Sequence, residues 1–178
     1  MAGKIYNVGK SKFDEGGIHM KKYILVLLTF VPIIAGYILN LIILIPGIGT
    51  LLYYVLPLLT TVFWFWIGIQ FARSSWKTIP AILIGNATGV GSLLVYLWQH
   101  FLKTDETRNM ALTGFSQMYG ASAISPWMAR LALLFESEPN TIGMSSVVAL
   151  QVISVVYMMA VFLAGFLLKV AMLSIRRL

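Results

Sequence analysis

Apolar residues run along this chain in long blocks, with the polar residues gathered between them. Four blocks, at about 23–45, 50–72, 79–102 and 146–168, reach the roughly 20 residues a helix needs to cross a bilayer core about 30 Å thick. Between the first two, Ile45-Pro46-Gly47-Ile48-Gly49-Thr50 is an uncharged turn. Its Pro and Gly stop one helix before the next begins, so the two spans form a hairpin. Arg73, Ser74, Ser75, Trp76 and Lys77 make the second link, with Trp76 suited to the headgroup layer. Pro32 and Pro57 predict kinks in spans one and two.

A fifth stretch, residues 110–135, behaves differently. It is diluted by Gly114, Ser116, Gln117, Gly120, Ser122, Ser125 and Pro126. Ile124, Met128, Leu131 and Phe135 recur at helical spacing while Ser122, Ser125 and Arg130 point elsewhere, an amphipathic pattern more than a spanning one. The expectation is a segment that lies in the outer leaflet or dips back into it, broken near Pro126, with Trp127 and Tyr119 at the headgroup boundary. The predicted fold is therefore an all-α integral membrane protein: four transmembrane helices in an antiparallel bundle, plus an amphipathic or re-entrant outer-leaflet segment between spans three and four.

Residues 1–19 are polar and Gly-rich and end in His19 before Met20-Lys21-Lys22. They read as a leader added in cloning, or as a disordered natural tail, ahead of a single membrane domain over 20–178. The next apolar run is too long for the core of a signal peptide.

Composition sharpens the class. The chain of 178 residues is 59% hydrophobic and 11% charged, with a mean hydropathy of +0.86. Globular domains carry about 25% charged residues, so a soluble enzyme domain, a disordered chain and a nucleic-acid-binding module are all disfavoured. The absence of cysteine removes disulfides, thiolate metal sites and thiol catalysis.

The net charge of +7 becomes an orientation signal. If 110–135 does not cross, Lys21, Lys22, Arg73, Lys77, Lys169, Arg176 and Arg177 share one side. Lys103, Arg108 and Arg130 share the other with Asp105, Glu106, Glu136 and Glu138. That asymmetry fits the positive-inside rule, with both termini cytoplasmic, as in a bacterial cytoplasmic membrane. A fifth crossing would reverse it and strand Arg130 near the membrane, at a cost of at least ~2.5 kcal/mol.

Candidate chemistry is sparse. No nucleophile elbow, P-loop, zinc-protease helix or dinucleotide turn is present, and no metal or cofactor is implied. On span three, Ala81, Gly85, Thr88, Gly89 and Ser92 fall on one face, and the Gly85/Gly89 pair predicts close helix packing. Asn86 should face protein or water, with Gln70 as a hydrogen-bond partner at similar depth.

Asn86, Thr88, Gln70, Asn40 and Gln151 are candidates for a substrate path, and His100, Arg130, Glu136 and Glu138 form a polar set at the outer face. Asp105 and Arg108 are spaced for a local ion pair. In Phe63-Trp64-Phe65-Trp66, four rings surround one helix, so some face lipid and some the bundle.

Three functions fit this pattern. The first is a homo-oligomeric transport or pore-type protein for a small solute, ion or lipid. The second is a non-catalytic subunit that binds another membrane protein. The third is a membrane enzyme acting on lipid headgroups. The partners expected are the lipid bilayer and either further copies or another membrane protein, with no nucleic acid.

Overall fold

The computed structural model describes residues 20–104, 106–136 and 142–175. The predicted leader 1–19, Asp105, Glu138, Arg176 and Arg177 lie outside the described residues. Among the described residues all regular structure is helical: α1 (Lys22–Leu28), α2 (Val31–Ile42), α3 (Ile48–Arg73), α4 (Thr78–Phe101), α5 (Met110–Ala121), α6 (Ser125–Ala132) and α7 (Met144–Ile175), with a 3₁₀ turn at Leu133–Phe135. Four helical stretches are long and apolar enough to cross a membrane: Lys22–Ile42, Ile48–Arg73, Thr78–Phe101 and Met144–Ile175.

Local chemistry explains the boundaries. Pro32 enters α2 in its first turn, where a missing N–H costs no helical hydrogen bond, and the chain breaks just before it at Thr29 and Phe30. The Thr29 hydroxyl contacts the Val26 carbonyl and lies 2.7 Å from the Thr88 hydroxyl, tying this break to α4. The first span therefore consists of two helices and ends at Ile42, three residues short of its predicted limit. Gly47 has φ +78°, the left-handed conformation that lets the chain reverse into α3. By contrast, α3 runs uninterrupted through Pro57.

The last helix has 32 residues and reaches Ile175, seven beyond the predicted end. At 1.5 Å per residue it measures about 48 Å, more than a bilayer core.

The central seam joins α3 to α7. Trp64, Ile67 and Phe71 on α3 pack with Val155, Met158, Phe162 and Phe166 on α7. Gly68 meets the backbone of Phe162 and Phe166, and Gly165 meets the backbone of Phe65. From the Thr61–Tyr157 hydroxyl contact at 3.1 Å to the level where residues 65–69 meet 162–166, both helices run in the same direction. Neither glycine leaves room for a side chain, so the helices pack backbone to backbone.

The amphipathic stretch becomes two helices, and α5 does not lie along the surface. It packs against α2, α4 and α7. Asn109 caps it, its side chain accepting the Leu112 N–H at 3.0 Å, while its own N–H donates to Gln99 at the end of α4, also 3.0 Å. Further along, Gly36 on α2 lies against the Met118 backbone and Ser92 on α4 donates to the Ser116 carbonyl at 3.2 Å.

Tyr119, expected at the headgroup boundary, is 1% exposed. Its ring packs edge-on to Trp64 and sits over Gly89. The amphipathic pattern does not separate the outward side of α5 from its helix-facing side, because both carry apolar residues. After the turn at 122–124, α6 turns away. Ser125 bonds Ser154 at 2.6 Å, and the Tyr53 hydroxyl donates to the Pro126 carbonyl.

Candidate functional site

A cleft of about 230 Å³ opens between α2, α3, α5, α6 and α7. Its walls are apolar where Leu39, Ile43, Val147 and Leu150 line it. Into it project three side-chain amides, Asn40, Gln117 and Gln151, none of which makes a hydrogen bond among the described residues. Gln151 is 8% exposed, its amide packed against Gly120 of α5. Asn40 is exposed and Gln117 half-buried, so these amides keep donors and acceptors open to a polar group arriving from outside the chain.

A second cavity of about 310 Å³ adjoins the first through shared Ile43, Tyr53 and Ala129, and Arg130 lines it. The Arg130 guanidinium stacks over Tyr54, 5.2 Å from the ring centroid. Among the described residues, no acidic side chain lines either cavity.

The remaining candidates fall elsewhere. Thr88 lines a separate groove with Phe30 and Phe115 and is held by Thr29. Asn86 is buried, and its amide donates to the Ile82 carbonyl at 2.9 Å while its oxygen has no partner. Gln70 is also buried, and the expected Asn86–Gln70 hydrogen bond is not formed. Asn86 reaches back along its own helix instead. Of the five path residues, the structure thus brings only Asn40 and Gln151 into one cavity.

On the packing face, Ala81 is buried and Ser92 bonds α5, whereas Gly85 and Gly89 accommodate the Phe162 and Tyr119 rings. These two glycines make room for aromatic rings rather than for a second backbone.

In the outer polar set, His100 stacks flat on Tyr96 and edge-on to Phe101. Arg108 donates to the Gln99 and His100 carbonyls, an arrangement suited to the negative end of the α4 dipole. Glu136 accepts from the Gly143 N–H at 3.0 Å, just ahead of α7. The Ser146 hydroxyl and this N–H hold its carboxyl below the usual carboxylate range. Glu136 therefore acts as an anionic cap on α7 and lines neither cavity. Among the described residues, no three His, Asp or Glu side chains converge as a metal site. In the four-ring run, Trp64 is fully buried and Trp66 is 40% exposed.

Sequence reasoning missed Tyr53, Gln117 and Ser125, whose roles depend on the path of α5 and α6. It also missed Gly36, Gly68 and Gly165. A lone glycine within an apolar helix weakens the helix, and that cost was the available signal for a close approach.

The four long apolar helices define a helical protein compatible with a membrane location. No family model, curated protein or solved structure matches the chain.

Proposed function

We propose that the chain is an integral membrane protein of four spans whose α5–α6 hairpin re-enters the bundle from the outer face and helps to hold a lipid-like molecule. Four observations support the re-entrant path. Asn109 sits at the end of α4, Tyr119 reaches Gly89 near the middle of α4, Ser125 contacts Ser154, and Arg130 stands beside Tyr54 near the start of α3. The α3 and α7 contacts also run in the same direction, as they must if the intervening segment returns to the face it left. Lys21, Lys22, Arg73 and Lys77 then share the cytoplasmic side.

The function rests on the three amides Asn40, Gln117 and Gln151 gathered in a cleft whose other walls are mainly apolar, with Tyr53 and Ser125 engaged by Pro126 and Ser154. Such a cleft suits a molecule with an apolar chain and a polar linkage near it, since ligand sites combine apolar walls with a few placed polar groups. One copy of the chain supplies all of it. A pore formed by several copies would need Asn86 and Gln70 on its path, and both are turned into packed interior.

Ala129 lines both cavities, so Ala129→Trp should fill them. Native mass spectrometry of the protein extracted in mild detergent should find lipid bound to the original chain. Little or none should remain on the variant, with the melting temperature checked in parallel. Equal lipid retention by a folded Ala129→Trp protein would refute the cleft reading.

A further inference from the structure

We infer that the molecule held in this cleft is an anionic lipid, its negative headgroup seated on Arg130 and its polar linkage on the amides below. This inference rests on the cleft reading above and adds the charge of the ligand. Arg130 is exposed at the second cavity and makes no ion pair among the described residues. Its place over the Tyr54 ring leaves the guanidinium donors open, and a guanidinium recognises phosphate or carboxylate through paired hydrogen bonds.

The surroundings add to the selectivity. With no acid among the described residues that line either cavity, Arg130 is the charged side chain they bring to the mouth. The nearest described carboxylate along the chain, Glu136, is occupied by Gly143 and Ser146. Thr50, in the first turn of α3, lines the same mouth.

The placement of the groups also suits a lipid. Arg130 stands over Tyr54 and lines a cavity that reaches Gly49 and Thr50 at the start of α3, while Asn40 stands two residues from the end of α2. Gln151 is seven residues, about 10 Å, into α7. An anionic headgroup, an ester linkage and an acyl chain would meet the arginine, the amides and the apolar wall of the two adjoining cavities. A zwitterionic headgroup would bring a cation to the same arginine, and that repulsion favours the anionic class.

The test uses the full chain in a neutral detergent, titrated with lysophosphatidylglycerol and with lysophosphatidylcholine of the same acyl chain, and separately with inorganic phosphate. The anionic lipid should bind about tenfold more tightly than the zwitterionic one, the value of one charge-assisted contact. Arg130→Gln should weaken lysophosphatidylglycerol about tenfold and lysophosphatidylcholine, whose phosphate loses the same contact beside its own cation, by less, so that the difference between them closes, while Arg130→Lys retains part of it. Arg130 is exposed, so both variants should fold, and their melting temperatures check this. Equal binding of the two lipids, unaffected by Arg130→Gln but abolished by Ala129→Trp, overturns the charge assignment and leaves the cleft standing. Binding of neither lipid in a way that Ala129→Trp removes overturns both. Displacement of the lipid by millimolar phosphate would show a site for free anions and overturn the lipid assignment.

Discussion

Gly68→Val should destabilise the protein by about 3 kcal/mol, toward the upper end of over-packing costs. The glycine faces the backbone of Phe162 and Phe166, and backbone cannot swing aside as a side chain would. A valine would push α7 away from α3 along the seam that also buries Trp64, Ile67 and Phe71. The expected readout is a melting temperature lower by about 10 °C in detergent, with loss of the fully buried Trp64 environment. Gly91→Ala on α4 is the control. Nothing lies within reach of its added methyl group, and alanine is the better helix former, so stability should hold or rise slightly. Similar melting temperatures for Gly68→Val and Gly91→Ala would mean that the α3–α7 seam is not backbone to backbone.

Gly36→Val should have a comparable cost but a different signature. Gly36 lies against the Met118 backbone, so a side chain there separates α2 from α5. That displacement carries Met118 and Gln117 with it, and both line the cleft. Bound lipid should therefore be lost under conditions in which the α3–α7 seam still melts cooperatively. Tyr119 would also move from its place between Trp64 and Gly89. Gly114→Ala, on α5 but facing open space, should leave lipid retention unchanged. Retained lipid in Gly36→Val would separate the cleft from the packing of α5.

The spans were legible because length and hydropathy are local properties, read from one segment at a time. Their ends shifted where local chemistry intervened, as at Thr29 and Phe30 before Pro32. Asn40 and Gln151 could be singled out because a polar residue in an apolar helix is conspicuous. Their common cavity could not, since it depends on where α5 and α6 pack. Residues 110–121 present apolar groups both outward and to neighbouring helices, and a pattern of polarity cannot distinguish the two. Tyr119 was placed at the headgroups for that reason. The Asn86–Gln70 pairing failed for another: matched depth along two helices leaves rotation about each axis free. Asn86 instead satisfies its amide on Ile82, one turn back. Glu136 and Arg130 appeared as one polar cluster in sequence, whereas the structure gives one to the cap of α7 and the other to the cavity mouth.

In the re-entrant path the chain leaves α4 and enters α7 on the same face of the membrane, with the hairpin returning between them. The absence of native cysteine makes single-cysteine labelling a clean test. Thr107→Cys and Ile142→Cys flank the hairpin, while Ser75→Cys and Ser174→Cys mark the opposite ends of the spans. With a membrane-impermeant maleimide applied to sealed cells, the account predicts labelling of Thr107→Cys and Ile142→Cys and protection of Ser75→Cys and Ser174→Cys until the membrane is opened. Labelling of Thr107→Cys with protection of Ile142→Cys would place a crossing between them and contradict the account.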